Sequence, residues 1–599
     1  MDTSMIEINS ETSIPIENHF RIAAGPGAGK TYWLVQHIKN VLHHTQRLKK
    51  SRKIACITYT NVAVETILNR LGTNVNQVEV STLHSFLYKH ILKPYASYLE
   101  NEYELNVTEM DGHEDTVVHF KKVKYWIENH PNVDRLKHPY SVNQLIKREE
   151  NTISLTRWLH HLMYRLDEHG NLTITGDDKQ AYRIEKNGDK EVRKYLNKSC
   201  LDILGSDLLT YKKLYWSNGI VNHSDVLFLS YQLLKNHSFI LSVLRAKFPY
   251  LYIDEFQDTN PIQVEILKLI GAEETIVGII GDEAQSIYGF QGADPSQFAS
   301  FSLPGLLEYV MKDNRRSANS IVDLLNITRK DIEQNKYRNI TGDKPILLLG
   351  ERIAALLKAR ELCGDGEELY SLSRDNPTSN AMRRNLYGEV SNDKLLEELL
   401  DIDKSSSSNK YRSRVIVSCL KAVEHAREGD IKKAIKELED IYKDINNKEK
   451  RTKQALKSLF LLLKEYDDYK DKSLYEFYTF IKNEVKTEIS KLGKGAATTF
   501  YESYMYEQLA ICVNFTDDNS KHRTIHKSKG DEFDNVLIVF KSSAELDVFI
   551  KPDLKNNEEH RINYVALSRA RERIFVNVPS INDDLRTKLI RIFNIVTVV

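Results

Sequence analysis

Eight residues, Ala24-Gly25-Pro26-Gly27-Ala28-Gly29-Lys30-Thr31, constrain this chain more than any others. They follow the apolar run Phe20-Arg21-Ile22-Ala23, which reads as a buried strand, and lead into a helical pattern from Thr31 to about Leu42. A glycine-rich loop between a strand and a helix start lets the backbone approach a polyphosphate closely. Successive N–H groups and the helix N-terminus then point at its oxygens. Lys30 is placed to reach the β- and γ-phosphates, and the Thr31 hydroxyl to ligate Mg²⁺. The expected ligand is a nucleoside triphosphate with its metal. Ala24 stands where the strict pattern has glycine.

The rest of the chain repeats this kind of local structure. Strand patterns at Lys53–Thr58 and Val78–Ser81 flank a helical pattern at Asn61–Leu71, so a parallel α/β sheet is expected. Residues 96–220 lose that alternation, are polar and tyrosine-rich, and read as a mostly helical insertion with a turn at Glu168-His169-Gly170-Asn171. Strands return at Tyr250–Ile253 and Thr275–Ile280, with a helix at Pro261–Ile270. A second α/β unit is expected from about Leu306, with a helix at Ser317–Thr328 and strands at Pro345–Leu349 and Leu369–Leu372. Residues 386–505 form another helical insertion. It holds an expected flexible loop at Ser405–Ser408 and a long Lys/Glu-rich helix over Arg427–Leu463, read as a solvated face. Strands around Val536–Phe540 and Arg573–Val576 complete the second unit.

Composition sets limits on this picture. A chain of 599 residues is expected to hold several domains, and 41% hydrophobic with 28% charged residues describes a soluble protein with real cores. The formal net charge is zero, so any phosphate contact depends on local patches. The five cysteines are scattered, which suggests neither a zinc site nor an iron–sulfur cluster and fits a reducing, cytoplasmic setting. No signal peptide or membrane span is read.

Two further stretches carry chemistry. Asp254-Glu255 ends the Tyr250–Ile253 run, where an Asp suits Mg²⁺ and the adjacent Glu suits polarising a water. In Gly281-Asp282-Glu283-Ala284-Gln285-Ser286-Ile287-Tyr288-Gly289-Phe290-Gln291-Gly292-Ala293, Gln285 is suited to sensing a γ-phosphate. Tyr288 and Phe290, set between glycines, suit stacking on single-stranded bases.

Together these residues resemble a superfamily 1A DNA helicase of the UvrD/Rep/PcrA type, over nearly the whole chain. Thr58-Tyr59-Thr60-Asn61 resembles motif Ia, Ser81-Thr82-Leu83-His84-Ser85-Phe86 motif Ib, and Asp225-Val226-Leu227 the acidic motif closing the first insertion. Asn314-Arg315-Arg316-Ser317 resembles motif IV, Thr524–Phe533 motif V, and Glu559–Ala570 motif VI. The resemblance implies an α/β fold of two RecA-like P-loop NTPase domains, each with a mainly helical inserted subdomain. The first domain would be 1–95 and 221–300 with insertion 96–220; the second would be 301–385 and 506–599 with insertion 386–505.

It also implies roles. ATP and Mg²⁺ would be the cofactors. The loop Ala24, Gly25, Pro26, Gly27, Ala28, Gly29, Lys30 and Thr31 would hold the phosphates, with Thr31 and Asp254 on the metal. Lys30, Asp254, Glu255 and Gln285 would act from the first domain, and Arg316 and Arg569 from the second as arginine fingers. Glu532 would bind the ribose. Tyr59, Thr82, His84, Tyr288, Phe290 and His526 would line a single-strand channel.

Three positions depart from the pattern. Arg315 replaces an adenine-stacking Tyr, and its guanidinium plane is suited to stack instead. Gln291 replaces an Arg. An adenine-reading glutamine has no counterpart upstream of Ala24, where Glu17 or Asn18 lies nearest. The expected activity is ATP-driven 3′–5′ translocation on single-stranded DNA and unwinding at single-strand/duplex junctions. The alternative is a DNA-sensing NTPase subunit of a nuclease-containing repair or anti-phage complex, with little processive unwinding; its nuclease would be a separate chain.

Overall fold

In the computed structural model, the described residues are 5–72, 76–110, 112, 118–136, 146, 152–187, 190–388, 394–403, 410–515 and 520–598. The Ser405–Ser408 loop expectation lies outside them. The chain divides into two compact units, Met1–Asp343 with Leu546–Glu572, and Lys344–Glu545 with Arg573–Val599.

The first unit is built on a seven-stranded sheet. Its strands are β1 (Ile6–Ile8), β2 (Phe20–Ala24), β3 (Ile54–Thr58), β4 (Val78–Thr82), β9 (Tyr250–Ile253), β10 (Ile276–Gly281) and β11 (Leu307–Met311). Between β4 and β9 run β5 (Leu162–Leu166), β6 (Leu172–Gly176), β7 (Tyr182–Asn187) and β8 (Lys190–Tyr195). The sheet order is β1-β11-β2-β10-β9-β3-β4, and every pairing is parallel. The central strands are short unbroken apolar runs because both faces are covered. Phe20, Ile22, Ile54, Cys56, Tyr250 and Tyr252 pack on Trp33, Leu34 and Ile38 of the helix Lys30–His44. Ala55, Ile57, Leu251, Ile253, Val277 and Ile279 pack on the opposite side, against the helices His223–Asn236 and Pro261–Gly271.

A parallel sheet brings all its strand ends to one edge, so the segments leaving those ends share one surface. The register pairs Ala24 with Met311, Ala23 with Gly281, Ile253 with Ile279, and Thr58 with Thr82. The phosphate-loop candidates, Tyr59, His84, Asp254-Glu255, Gln285 and Arg315-Arg316 all follow such ends.

Three sequence expectations are corrected here. The second domain was expected to open at 301. The strand Leu307–Met311 instead pairs with β2, so that stretch belongs to the first sheet. The first insertion is less helical than expected. Around a core of Trp126, Trp158, Leu204 and Tyr211 it also contains two antiparallel hairpins, β5–β6 and β7–β8, and Glu168–Asn171 lies in the turn of the first. The Arg427–Leu463 helix is broken into Ile431–Glu439 and Lys448–Lys464, after a helix ending at Arg427. Gly429 takes φ 88°, and Asp430 and Asn447 cap the new helix starts with their side chains.

The second unit holds a six-stranded sheet. After the two-residue strands β12 (Asp313–Asn314) and β13 (Asn335–Lys336) of the first unit come β14 (Ile346–Leu349), β15 (Leu369–Ser373), β16 (His522–Thr524), β17 (Phe533–Val539), β18 (Ala570–Val578) and β19 (Asn594–Thr597). Their order is β16-β15-β17-β18-β14-β19. A separate helical core includes Leu399, Val415, Leu420, Leu438, Leu462 and Phe477. Among the described residues no helix is long and apolar enough to cross a membrane.

Candidate functional site

The loop leaving β2 takes left-handed backbone at Gly27 (φ 71°) and at Gly29 (φ 84°), the residue before the helix that Lys30 opens. The three glycines are also required by what packs on them. A Cβ at Gly25 would meet Gln334 Nε2 at 2.4 Å, at Gly27 Asn314 Oδ1 at 2.6 Å, and at Gly29 Ser10 Cβ at 2.9 Å. Gln334 Nε2 donates to Pro26 O (2.7 Å), Asn314 Nδ2 to Gln334 Oε1 (3.2 Å), and Arg315 N to Gly27 O (2.9 Å). The loop is therefore held from outside by backbone and amide contacts, with Ala24 and Ala28 buried beneath it. Gln334, which the sequence reading did not single out, and Asn314, named there only within the motif IV stretch, are what hold the loop.

Thr31 Oγ1 donates to Asp254 Oδ2 (3.2 Å), and Lys30 Nζ lies 3.8 Å from Glu255 Oε1. Burial, with the neighbouring Glu255 carboxylate, pushes Asp254 up to about 6 against the pull of Lys30, the Glu255 N–H and Thr31. Glu255 has φ 56°, a left-handed conformation costly for a side chain with a Cβ. Its carboxylate is tethered by Gln257 Nε2. A hydroxyl and a buried carboxylate within hydrogen-bond distance form an oxygen donor pair suited to Mg²⁺, which takes few protein ligands and completes its shell with phosphate and water.

Gln285 leaves β10. Its Nε2 donates to Asp282 Oδ2 (2.6 Å), while its Oε1 accepts from Arg569 Nη2 (2.8 Å). Arg569 also donates to Val565 O and Ser568 Oγ, and Arg316 Nη1 donates to Ser568 O (2.8 Å). Both arginines thus belong to the compact unit that contains Lys30, not to the other unit as expected. The physical reason is the helix Glu558–Leu567. Glu558 Oε1 accepts from Gly289 N (3.0 Å), and Arg561 Nε donates to Ser286 O (2.7 Å), which fastens this helix to the segment leaving β10.

Arg315 lies with its guanidinium carbon 4.0 Å from the Tyr337 ring centroid, and its Nη1 donates to Glu11 Oε1 (3.0 Å). Ser10 and Glu11 leave β1 at the same sheet edge. Glu17 does not. It precedes β2 at the opposite edge, where it accepts from Tyr250 OH (2.6 Å), so it is removed as a base reader.

Tyr59 and Tyr288 stack at 4.7 Å and 25°, and Phe290 lies 6.0 Å from Tyr288 with 68% of its surface exposed. Gln291 accepts from the Tyr59 hydroxyl, so the departure from Arg serves to fix this ring. Thr82 caps the helix Leu83–Leu87, and His84 meets the His223 ring edge-on at 5.5 Å. His526 and Glu532 lie in the second unit, His526 just past β16 and Glu532 exposed before β17.

Residues 7–303 match the family described as the UvrD/REP helicase N-terminal domain. The chain is 26% identical to the Gabija protein GajB of Bacillus cereus (strain HuB5-5), over 52% of this chain and 47% of that one. It is 28% identical to the ATP-dependent DNA helicase Rep of Buchnera aphidicola subsp. Acyrthosiphon pisum (strain APS), over 53% and 45%. It is 21% identical to the putative ATP-dependent DNA helicase YjcD of Bacillus subtilis (strain 168), over 97% and 79%. The match thus spans about half the length of the first two relatives and most of the third. With its loop, acidic pair and glutamine leaving adjacent parallel strands, the stretch 7–303 belongs to the family of UvrD/REP helicase N-terminal domains.

Proposed function

We propose that this chain is an ATP-dependent 3′–5′ DNA helicase and single-strand translocase. The observation that carries the reading is the convergence of Lys30, Thr31, Asp254, Glu255, Gln285, Arg316 and Arg569 within one compact unit. In this reading the loop from Ala24 to Thr31 cradles the triphosphate, and Thr31 with Asp254 holds Mg²⁺. Glu255 orients the attacking water. Gln285, Arg316 and Arg569 stabilise the charge on the transferring phosphoryl group. The base stands on Arg315, backed by Tyr337, and Glu532 binds the ribose. Tyr59, Thr82, His84, Tyr288, Phe290 and His526 contact single-stranded DNA, with the exposed Phe290 ring as a stacking surface worth about 1–3 kcal/mol per base. The two sheets are the two RecA-like domains, and the motor works in the cytoplasm.

The test is hydrolysis and strand displacement. Wild-type chain is expected to hydrolyse ATP faster with single-stranded DNA, and to unwind a duplex with a 3′ tail but not one with a 5′ tail. Lys30→Ala abolishes both. Displacement on neither tail, with hydrolysis intact, discards the helicase.

A second reading is favoured by the similarity to the Gabija protein GajB. In it the chain is a DNA-sensing NTPase subunit of a nuclease-containing complex in anti-phage defence or repair. DNA-stimulated hydrolysis without unwinding, and co-purification with a nuclease, is the outcome that selects it.

A further inference from the structure

Arg329 has no place in the site as described so far, yet it is almost completely buried beside it. It follows the helix Asn319–Thr328 and is 3% exposed. Its Nη1 lies 2.7 Å from Asp282 Oδ1, and Asp282 is itself 1% exposed. Its Nε and Nη2 donate to Asp331 Oδ1 and Oδ2, both at 2.8 Å. Its guanidinium also reaches the Tyr564 hydroxyl at 3.5 Å, on the helix that carries Arg569 at its end.

Asp282 is what holds Gln285. One carboxylate oxygen, Oδ1, is taken by Arg329 and the Ala284 N–H; the other, Oδ2, accepts from Gln285 Nε2. A carboxylate only accepts, so it fixes which end of the Gln285 amide faces it. The amide oxygen is thereby turned toward Arg569, where it accepts at 2.8 Å. A flipped amide would present its NH₂ to the Arg569 guanidinium, donor against donor. The Asp282 backbone N–H donates to Gln257 Oε1, on the side chain whose Nε2 tethers Glu255. A buried carboxylate without a counter-charge is strongly disfavoured, so without Arg329 the Asp282 side chain has no stable place opposite the Gln285 amide.

From this geometry we infer that Arg329 is a positioning residue for hydrolysis: by neutralising Asp282 it locks the Gln285 amide in the orientation that engages Arg569. The inference rests on the nucleotide-hydrolysing reading of the site. Its partners are asymmetric in a useful way. Asp331 is largely exposed and is solvated when Arg329 is lost, whereas Asp282 is stranded.

The experiment compares steady-state ATP hydrolysis by wild type, Arg329→Met, Arg329→Lys, Asp282→Asn and the double variant Asp282→Asn/Arg329→Met, each checked for a folded melting transition. Arg329→Met is expected to lower kcat about tenfold or more, as removal of outer-shell partners does, with KM for ATP nearly unchanged. Arg329→Lys retains part of the rate, because a charge remains opposite Asp282. The double variant is expected to exceed Arg329→Met in kcat, because asparagine still accepts from Gln285 and leaves no charge uncompensated. A bulk packing role would not produce that rescue. Wild-type kcat in Arg329→Met, or a double variant no faster than Arg329→Met, overturns the inference alone. No hydrolysis by the wild-type chain removes the reading of the site and this inference with it. If Arg329→Met fails to fold, the Lys and double variants decide: equal turnover in Arg329→Lys and wild type, with an inactive folded double variant, counts against it.

Discussion

Asp254 is kept in the carboxylate form at a cost. Burial and the adjacent Glu255 raise it from an ordinary value of 3.8 to about 6. A folded value above the unfolded one means that the folded chain binds this proton more tightly. The penalty is therefore complete above about pH 6 and fully relieved below 3.8. Asp254→Asn is expected to abolish hydrolysis yet raise the melting temperature of the nucleotide-free chain at pH 8, by an amount equivalent to at most about 3 kcal/mol. The gain shrinks at pH 5. A variant less stable than wild type at pH 8 would show that the Lys30 attraction outweighs burial. Residues of this kind were legible in sequence because each directly follows an unbroken apolar strand. The partner of Arg315, Glu11, was not. Strand β1 is three residues long with two of them exposed, so nothing marked Ser10 and Glu11 as edge residues, and Glu17 drew attention by proximity to the loop alone. Arg329 and Gln334 were missed because their partners Asp282, Asn314 and Pro26 come from other elements, a pairing that periodicity does not encode.

At the scale of elements, β2 and β10 deliver most of the site, and their contact leaves no tolerance. Gly278 lies opposite Phe20 in the register, and a Cβ there would meet the Phe20 ring at 2.1 Å. Phe20 cannot yield, since it is enclosed by Trp33, His37 and Tyr252. Gly278→Ala is expected to cost about 1–3 kcal/mol through overpacking, read as a lowered denaturation midpoint. Gly205→Ala, in a helix with open space around it, should leave the midpoint unchanged or raise it. An equal midpoint for wild type and Gly278→Ala would mean that the two strands separate freely. The central strands were readable because burial on both faces writes them as continuous apolar runs. The hairpins between Leu162 and Tyr195 were not. Their first strand has no fully buried residue, so Leu162–Leu166 shows neither a clean alternation nor an apolar block. The break after Arg427 was signalled by Gly429-Asp430, a stop and an N-cap in sequence, but the Lys/Glu periodicity on both sides masked it.

On the scale of the whole molecule, the unit that holds the phosphate loop is discontinuous in sequence. It is completed by Leu546–Glu572, which return after the entire second insertion. The returning α/β pattern and the resemblance had put this segment in the second domain; contacts group it with the first unit. The returning segment contributes Leu546, Val548, Phe549, Ile562, Tyr564, Val565 and Leu567 to the interior, together with Arg561 and Arg569. Each large apolar side chain left exposed forfeits about 1.5–3 kcal/mol, and a domain's net stability is only about 5–15 kcal/mol. A chain ending at residue 343 would keep Lys30, Asp254, Glu255 and Gln285, yet lose the partner of the Gln285 amide oxygen and the Glu558 and Arg561 anchors of the segment after β10. Such a fragment is expected to melt well below the full-length protein, or to be recovered only in aggregates, and to show no ATP turnover. Co-expression with residues 546–572 should recover soluble fragment. Because Arg316 and Arg569 are then both present, DNA-independent hydrolysis should return in part. A fragment 1–343 with full-length thermal stability would show that the returning helix is an accessory to the first sheet and not one of its structural members.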